Sequence, residues 1–522
     1  MSRPQISTTD PIELELARSR FSAVANEMGT VLRRTAYSPN IKERADCSAA
    51  IFVVDGEMLA QAEHIPVHLG SMPASVQAVL DHFGNRVEPD TQYAVNDPFS
   101  GGTHLNDLTL VRPVHLGGDL IGFVANRAHH ADVGGEAPGS MPAHATTITQ
   151  EGCRIAPTTA VLAGAWLPNF LDRFLAATRT PAERLGDLSA QLGANEVGAQ
   201  RLVELASSYG PGKFSRMCSA VLDYGEQRMR AALTDLTDGS YTFVDFMETT
   251  DALLPIQVTV TIDHDELHAD FAGTADQQPV NFNAVRAVTQ SCLYYAVRVA
   301  TDPTIPANGG CQRPLSLTTA AGSLVDAQEP AAVAAGNVET SQRIADVLLG
   351  ALATPSPLRV PAASQGTMNN LLIGSDTFAY YETTAGGQGG RNGRNGQSGI
   401  HTGMTNTRNT PIESLEQHYP FKVRATTLWD SGGAGRFRGG DGIERELEFL
   451  EPAVVSIIGE RRRTRPWGLA GGSSGASGQD WLLRRRNGRL VRERLDAKCT
   501  FDVNPHDRLL VRTPGGGGWG KP

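Results

Sequence analysis

The chain has 522 residues, 40% of them hydrophobic and 20% charged, with a formal net charge of −10. An acidic balance without a basic stripe argues against nucleic acid and anionic membrane as partners. No apolar run approaches the roughly 20 residues of a spanning helix, and the length predicts two or three fused substructures.

The opening stretch MSRPQISTTDPIELE lacks the apolar centre of a signal peptide. Asp10-Pro11-Ile12-Glu13 then combines an N-cap, a Pro at the first helical position and a capping-box Glu. Phe21, Val24, Met28 and Val31 continue it as one apolar helical stripe.

Two β-hairpins follow. Asp55-Gly56 sits between apolar runs at 49–54 and 57–61, and Asp-Gly is a strong hairpin turn. Counting outward from that turn puts Asp46 beside Ile65 and close to His64. A short helix is expected over 71–83. The second hairpin turns at Gly117-Gly118, between 108–116 and 119–125. Its pairing puts Asp107 opposite Ala128, Asn106 opposite His129 and His104 near Ala131. A slip of a residue or two leaves the consequence intact: His104 and Asp107 meet His129, His130 and Asp132.

Three Ala-, Leu- and Arg-rich helices are expected between Pro168 and Leu236. The segment ANEVGAQRLVELASSYG reads as a core helix, with oligomer contacts as the alternative. From Gly239 the pattern turns to strands, with helices near VTQSCLYYAVRVAT and ETSQRIADVLLGAL and a hairpin turn at Asn487-Gly488. The predicted class is mixed α+β. A hairpin-rich part spans 1–165, a helical part 166–238, and a strand- and glycine-rich part 239–522.

The six cysteines contain no CxxC pair, which predicts a reducing, cytoplasmic setting and a metal site built from His and carboxylate. Cys47 reads as simple packing. His104, Asp107 and His129, with Asp46, are the leading constellation. Two imidazoles and two carboxylates suit Zn²⁺, Mn²⁺ or Fe²⁺. His129 and His130 are adjacent, so an extended strand points them to opposite faces and one of them reaches the ion. Taken singly, each of these residues reads as an ordinary polar group at a loop end.

The stretch 385–411 is glycine-rich and polar. Either it is a site loop, where Arg391, Arg394, His401 and Arg408 meet an anion, or it is an ordinary surface loop. Gly471-Gly472-Ser473-Ser474-Gly475 fits G-x-S-x-G but has no strand-to-helix elbow around it. GGAGRFRGG lacks a βαβ context, and no G-x-x-x-x-G-K-[ST] occurs, so no ordinary ATP loop is expected on this chain. The runs Arg461-Arg462-Arg463 and Arg484-Arg485-Arg486 read as solvated faces or partner contacts.

NDPFSGGTHLNDLTL, RAHHADVGG, HIPVHLGSM, GNVETSQRI, MTNTRNTPIE and the ending RTPGGGGWG occur in this order over nearly the whole chain. Together they resemble the hydantoinase B / 5-oxoprolinase family. The resemblance implies a hydantoinase A-like partner subunit that binds ATP and phosphorylates the amide oxygen of a cyclic amide. The B-type subunit then completes ring opening with a divalent metal, Zn or Mn. N-methylhydantoin, 5-oxoproline and caprolactam are substrates of such pairs. It further implies a hetero-oligomer such as a dimer of heterodimers. The family's metal ligands fall on Asp46, His104, Asp107 and His129, the positions the hairpins bring together. His130, Asp132 or His144 would relay a proton, and Arg391, Arg394 and His401 would hold the phosphorylated substrate. Gly403 stands where the family pattern leads one to expect histidine. The rivals are an acetone-carboxylase-like subunit, or a non-catalytic scaffold with a closed structural metal site.

Overall fold

The computed structural model describes residues 10–522, apart from 63, 64, 69 and 488. Helix α1 (Pro11–Thr35) starts where Asp10 Oδ1 accepts the Ile12 N–H at 3.0 Å. Phe21, Val24 and Met28 are buried as the stripe predicts, but Leu32 is buried in place of Val31. A 25-residue helix drifts off a strict seven-residue repeat, which moves the stripe on by one. A single turn, α2 (Pro39–Lys42), leads into the first sheet.

That sheet contains β1 (Cys47–Phe52), β2 (Met58–Ala62), β3 (Thr91–Val95), β4 (Asp107–Leu116), β5 (Asp119–His129), β6 (Thr158–Leu162) and β7 (Ala165–Trp166). Its order is β2-β1-β5-β4-β3-β6-β7. The two predicted hairpins thus lie side by side, joined through β1 and β5. In the first hairpin, Ala49 faces Ala62 and Ile51 faces Ala60, the register the Asp55-Gly56 turn predicts. The place expected for His64 lies outside the described residues.

The second hairpin departs from its prediction by one step. Leu116 faces Asp119 and His115 faces Leu120, as expected. A bulge then leaves Ile121 unpaired, so Val114 faces Gly122 and Asp107 faces His129. Gly122 permits this: a Cβ there would lie 2.4 Å from the carbonyl oxygen of Phe52.

Helix α3 (Met72–Phe83) covers one sheet face, where Met72, Val76 and Val79 pack on Phe52, Phe123 and Ala125. The three predicted helices are α4 (Pro168–Ala177), α5 (Pro181–Tyr209) and α6 (Pro211–Thr234). The other face, through Ala49, Ile51 and Val124, packs against α1 and α5. Burying a side chain the size of Ile51 or Val124 contributes about 1.5–3 kcal/mol. Gln191 and Asn195 of α5 hydrogen-bond into the sheet, so this helix is a core element.

Beyond it, β8 (Gly239–Glu248), β9 (Leu253–Asp263), β10 (Glu266–Asp270) and β11 (Leu315–Thr318) form a second sheet. It shares the largest apolar core with α7 (Arg286–Ala300) and α9 (Ser341–Leu352); the single turn α8 (Gly309–Gln312) precedes β11. A third sheet contains β12 (Asn370–Gly374), β13 (Ala379–Thr383), β16 (Ala453–Ile458) and β19 (Lys498–Val503). The short α10 (Ile412–His418) leads to the fourth, of β14 (Phe421–Trp429), β15 (Gly442–Phe449), β17 (Gln479–Arg486), β18 (Arg489–Arg494) and β20 (Arg508–Arg512). β17 and β18 pair as the predicted hairpin. The whole is a mixed α+β fold.

One expectation is corrected. Arg461 and Arg462 are not on a solvated face. Arg461 is 1% exposed and pairs with Asp245 and Asp346, both at 2.6 Å, while Arg462 pairs with Asp480 at 2.8 Å. The acids that hold them are spread across 235 residues of sequence, so a local charge run could not reveal the pairing. Among the described residues, no helix is long and apolar enough to cross a membrane. All six cysteines are free, and Cys47 is buried between α1, α5 and β5 with its thiol pushed up to about 12 by burial.

Candidate metal centre

The site lies at the end of the β4–β5 hairpin away from its turn. His104, Asp107 and His129 each offer a ligand atom, and these atoms lie within 4.8 Å of one another. All three residues are buried. His104 Nε2 is 3.0 Å from Asp107 Oδ1, and His129 Nδ1 is 3.2 Å from the same oxygen. The bulge explains the second contact, since it sets Asp107 directly across from His129.

Each side chain is held from behind. His104 Nδ1 is 3.2 Å from the carbonyl oxygen of Ala334. A carbonyl only accepts, so Nδ1 carries the proton and Nε2 keeps its lone pair toward the cluster. Glu151, 0% exposed, accepts N–H bonds from Val333 and Ala334 and fixes that segment. Asp107 Oδ2 accepts from Thr103 Oγ1 at 2.9 Å and lies 3.3 Å from His68 Nε2. His68 Nδ1 is 2.8 Å from Ser48 Oγ. The imidazole of His68 thus ties β1 to the carboxylate of β4. The His129 ring stacks on Tyr381 of β13 at 4.7 Å between centroids.

Burial pushes the Asp107 carboxyl up, but the His104, His68 and His129 imidazoles around it outweigh that and hold it well below the usual range. Burial lowers His129. The residues fit a divalent ion: two imidazoles and a carboxylate, all buried, converge with their donor atoms within 4.8 Å of one another.

Asp46 lies next to this group without joining it. Its backbone carbonyl accepts the His129 N–H at 3.1 Å, but its carboxylate is not among the atoms within 4.8 Å of one another. His130 leaves the strand on the opposite face, as adjacency predicts. Its Nε2 is 2.9 Å from Gln191 Oε1 of α5, and burial pushes it down to about 4. Asp132 is buried against Arg179 at 2.8 Å and accepts from the Gly134 and Gly139 amides. His144 is at the surface, its side chain 59% exposed and 3.2 Å from Glu136. The structure does not bring His130, Asp132 or His144 to the triad. Their nearness in sequence is undone where the chain leaves the strand and turns.

Two groups were missed by sequence reasoning. His68 was legible only as part of HIPVHLG, and Glu151 carries no local signal at all. Both act across long sequence separations.

The glycine-rich stretch lines a cavity of about 450 Å³ together with Tyr295, Gln342, Arg359 and Trp467. Arg391, Arg394 and His401 all face it. Among the described residues the guanidinium groups of Arg359, Arg391 and Arg394 have no ion-pair partner. His401 Nδ1 and Thr402 Oγ1 are buried without hydrogen-bond partners. Burial, then the Arg44 charge, pushes His401 down to about 4. Gly403 adopts φ +66°, and a Cβ there would lie 2.0 Å from Gln342 Oε1, so a histidine does not fit this loop as it is folded. Arg408 instead joins the main chain of Arg44, its N–H donating to that carbonyl at 3.1 Å.

Comparison with known proteins agrees with this layout. The Hydantoinase B/oxoprolinase family model matches residues 10–522. A protein of Methanocaldococcus jannaschii is 42% identical over 98% of this chain and 91% of its own length. 5-oxoprolinase 1 of Arabidopsis thaliana is 38% identical over 98% of this chain, which spans only 42% of that relative. The ATP-dependent caprolactamase from Pseudomonas jessenii superposes with a TM-score of 0.92 at 28% identity, over 99% of this chain and 92% of that one. The match runs through the hairpins, the helical middle and the glycine-rich end alike, and the chain belongs to the hydantoinase B/oxoprolinase family.

Proposed function

We propose that this chain is the metal-dependent, ring-opening component of an ATP-dependent cyclic-amide hydrolase. The observation that carries the reading is the buried His104–Asp107–His129 cluster, a cation-ready group on a chain without an ordinary ATP loop. Its family, and its likeness to an ATP-dependent caprolactamase, support the same class of reaction.

An unactivated cyclic amide is a poor electrophile with a poor leaving group. A hydantoinase A-like partner phosphorylates the amide oxygen, which makes the ring carbon attackable. His104, Asp107 and His129, with Asp46 beside them, would hold a divalent ion, zinc or manganese, which would supply Lewis acidity and an activated water at neutral pH. This chain's own residues do the rest. His68 and Ala334 hold the donor atoms in place, and burial excludes bulk water. Arg391 and Arg394, with Arg359 and neutral His401, hold the phosphorylated substrate through charge-assisted hydrogen bonds.

The test is to express the chain with and without an A-type partner and to assay hydantoins, 5-oxoproline and lactams. Ring opening is expected only with both chains and ATP. Opening by this chain alone without ATP overturns the two-subunit reading.

A further inference from the structure

A five-residue π-helical turn, Gly336–Thr340, precedes α9. Such turns mark functional positions more often than ordinary helix does. Glycine is needed at its start, because a Cβ on Gly336 would lie 1.9 Å from the carbonyl oxygen of Asn283. The turn delivers Asn337, 3% exposed, to the triad. Its side-chain nitrogen is 3.0 Å from His104 Nε2 and 3.3 Å from Asp107 Oδ2. Its side-chain oxygen, Oδ1, is buried with no partner.

A buried amide oxygen left unpaired costs about 1–3 kcal/mol and calls for a reason. The contacts of the other end, Nδ2, show where the side chain is aimed. Ligand atoms about 2.1 Å from a shared ion stand roughly 3.0–3.4 Å apart along the edges of its shell. The edges from Asp107 Oδ1 to His104 Nε2 and His129 Nδ1 are 3.0 and 3.2 Å, and that from Asn337 to His104 Nε2 is 3.0 Å, while the other carboxylate oxygen, Oδ2, lies 3.3 Å from Asn337. Asn337 keeps the triad's spacing to His104. The two ends of an amide are alike in shape, so a half-turn about its last bond exchanges nitrogen for oxygen at the same place.

We propose that Asn337 belongs to the metal shell, with its side-chain carbonyl oxygen facing the ion. The inference rests on the metal reading of the triad. An amide oxygen added to two imidazoles and a carboxylate makes the shell harder, which suits manganese. The half-turn also relieves the contact between the amide nitrogen and the His104 lone pair, which the ion requires.

The test is calorimetric titration of Mn²⁺ into the metal-free full chain, as wild type, Asn337→Ala and Asn337→Asp, with melting of each apo form as a folding control. Asn337→Ala is expected to weaken Mn²⁺ at least tenfold without changing the apo melting temperature, and Asn337→Asp to tighten it at least tenfold. Wild-type affinity in Asn337→Ala overturns the assignment while leaving the triad intact. Absence of Mn²⁺ binding by the wild-type chain overturns the triad reading and this one with it. Should Asn337→Ala not fold, Asn337→Asp decides alone, since unchanged affinity contradicts a side chain facing the ion.

Discussion

Asp107 stands directly across the β4–β5 ladder from His129, one residue beyond where the turn alone would pair it. The bulge at Ile121 makes that step, and Gly122 makes the bulge possible by lying under the Phe52 carbonyl. Gly122→Val is therefore expected to destabilise the chain by roughly 2–3 kcal/mol, through overpacking against backbone. Chemical denaturation checks it, and an unchanged midpoint would contradict the role given to this glycine.

His68 is buried between Ser48 and Asp107 and touches the cluster through its carboxylate alone. Removing such an outer partner costs about 10–100-fold in metal affinity. His68→Ala should weaken metal by that amount, read by competition with a chelator, while His68→Gln recovers part of it by donating to Asp107. Equal affinity in His68→Ala and wild type would reduce His68 to a packing residue.

Glu151 supplies a pH dependence. Burial pushes its carboxyl up to about 8 from 4.5, although two backbone N–H groups favour the charged form. The folded chain thus holds a proton that the unfolded chain releases above pH 4.5. Stability from this group is full below 4.5 and is lost as pH rises to about 8, by roughly 5 kcal/mol at most. Melting temperatures of wild type and Glu151→Gln should therefore converge or cross between pH 5 and pH 8.5, with the wild type losing more. Parallel curves would show that Glu151 is ionised in the fold.

The arginines of the 450 Å³ cavity lack ion-pair partners among the described residues, so their loss should leave the fold intact. Arg391→Ala and Arg394→Ala are expected to raise the KM for cyclic amide in the two-subunit assay by about 10-fold or more, the worth of a charge-assisted bond. Metal content should not move. An unchanged KM in the double variant would remove the cavity from the substrate path.

How much of this was legible beforehand follows from the range of each interaction. The helix cap at Asp10, both hairpin turns and the opposed directions of His129 and His130 are local, and periodicity with turn chemistry predicted them. The bulge at Ile121 was not legible. It depends on the approach of Phe52 from a neighbouring strand. Asn337 and His68 reach Asp107 across 230 and 39 residues of sequence, Glu151 reaches Ala334 behind His104 across 183, and no spacing rule connects them to the site. Arg461 shows the converse error. Its neighbours suggested a solvated run, and only the fold supplies the acids that bury it.

The central claim is that His104, Asp107 and His129 bind one divalent ion. Elemental analysis of the purified chain after incubation with Mn²⁺ or Zn²⁺ tests it most directly, alongside His104→Ala and His129→Ala with intact melting behaviour. The account predicts about one ion per wild-type chain and almost none in either variant. Full metal content in a folded His104→Ala or His129→Ala chain would contradict it.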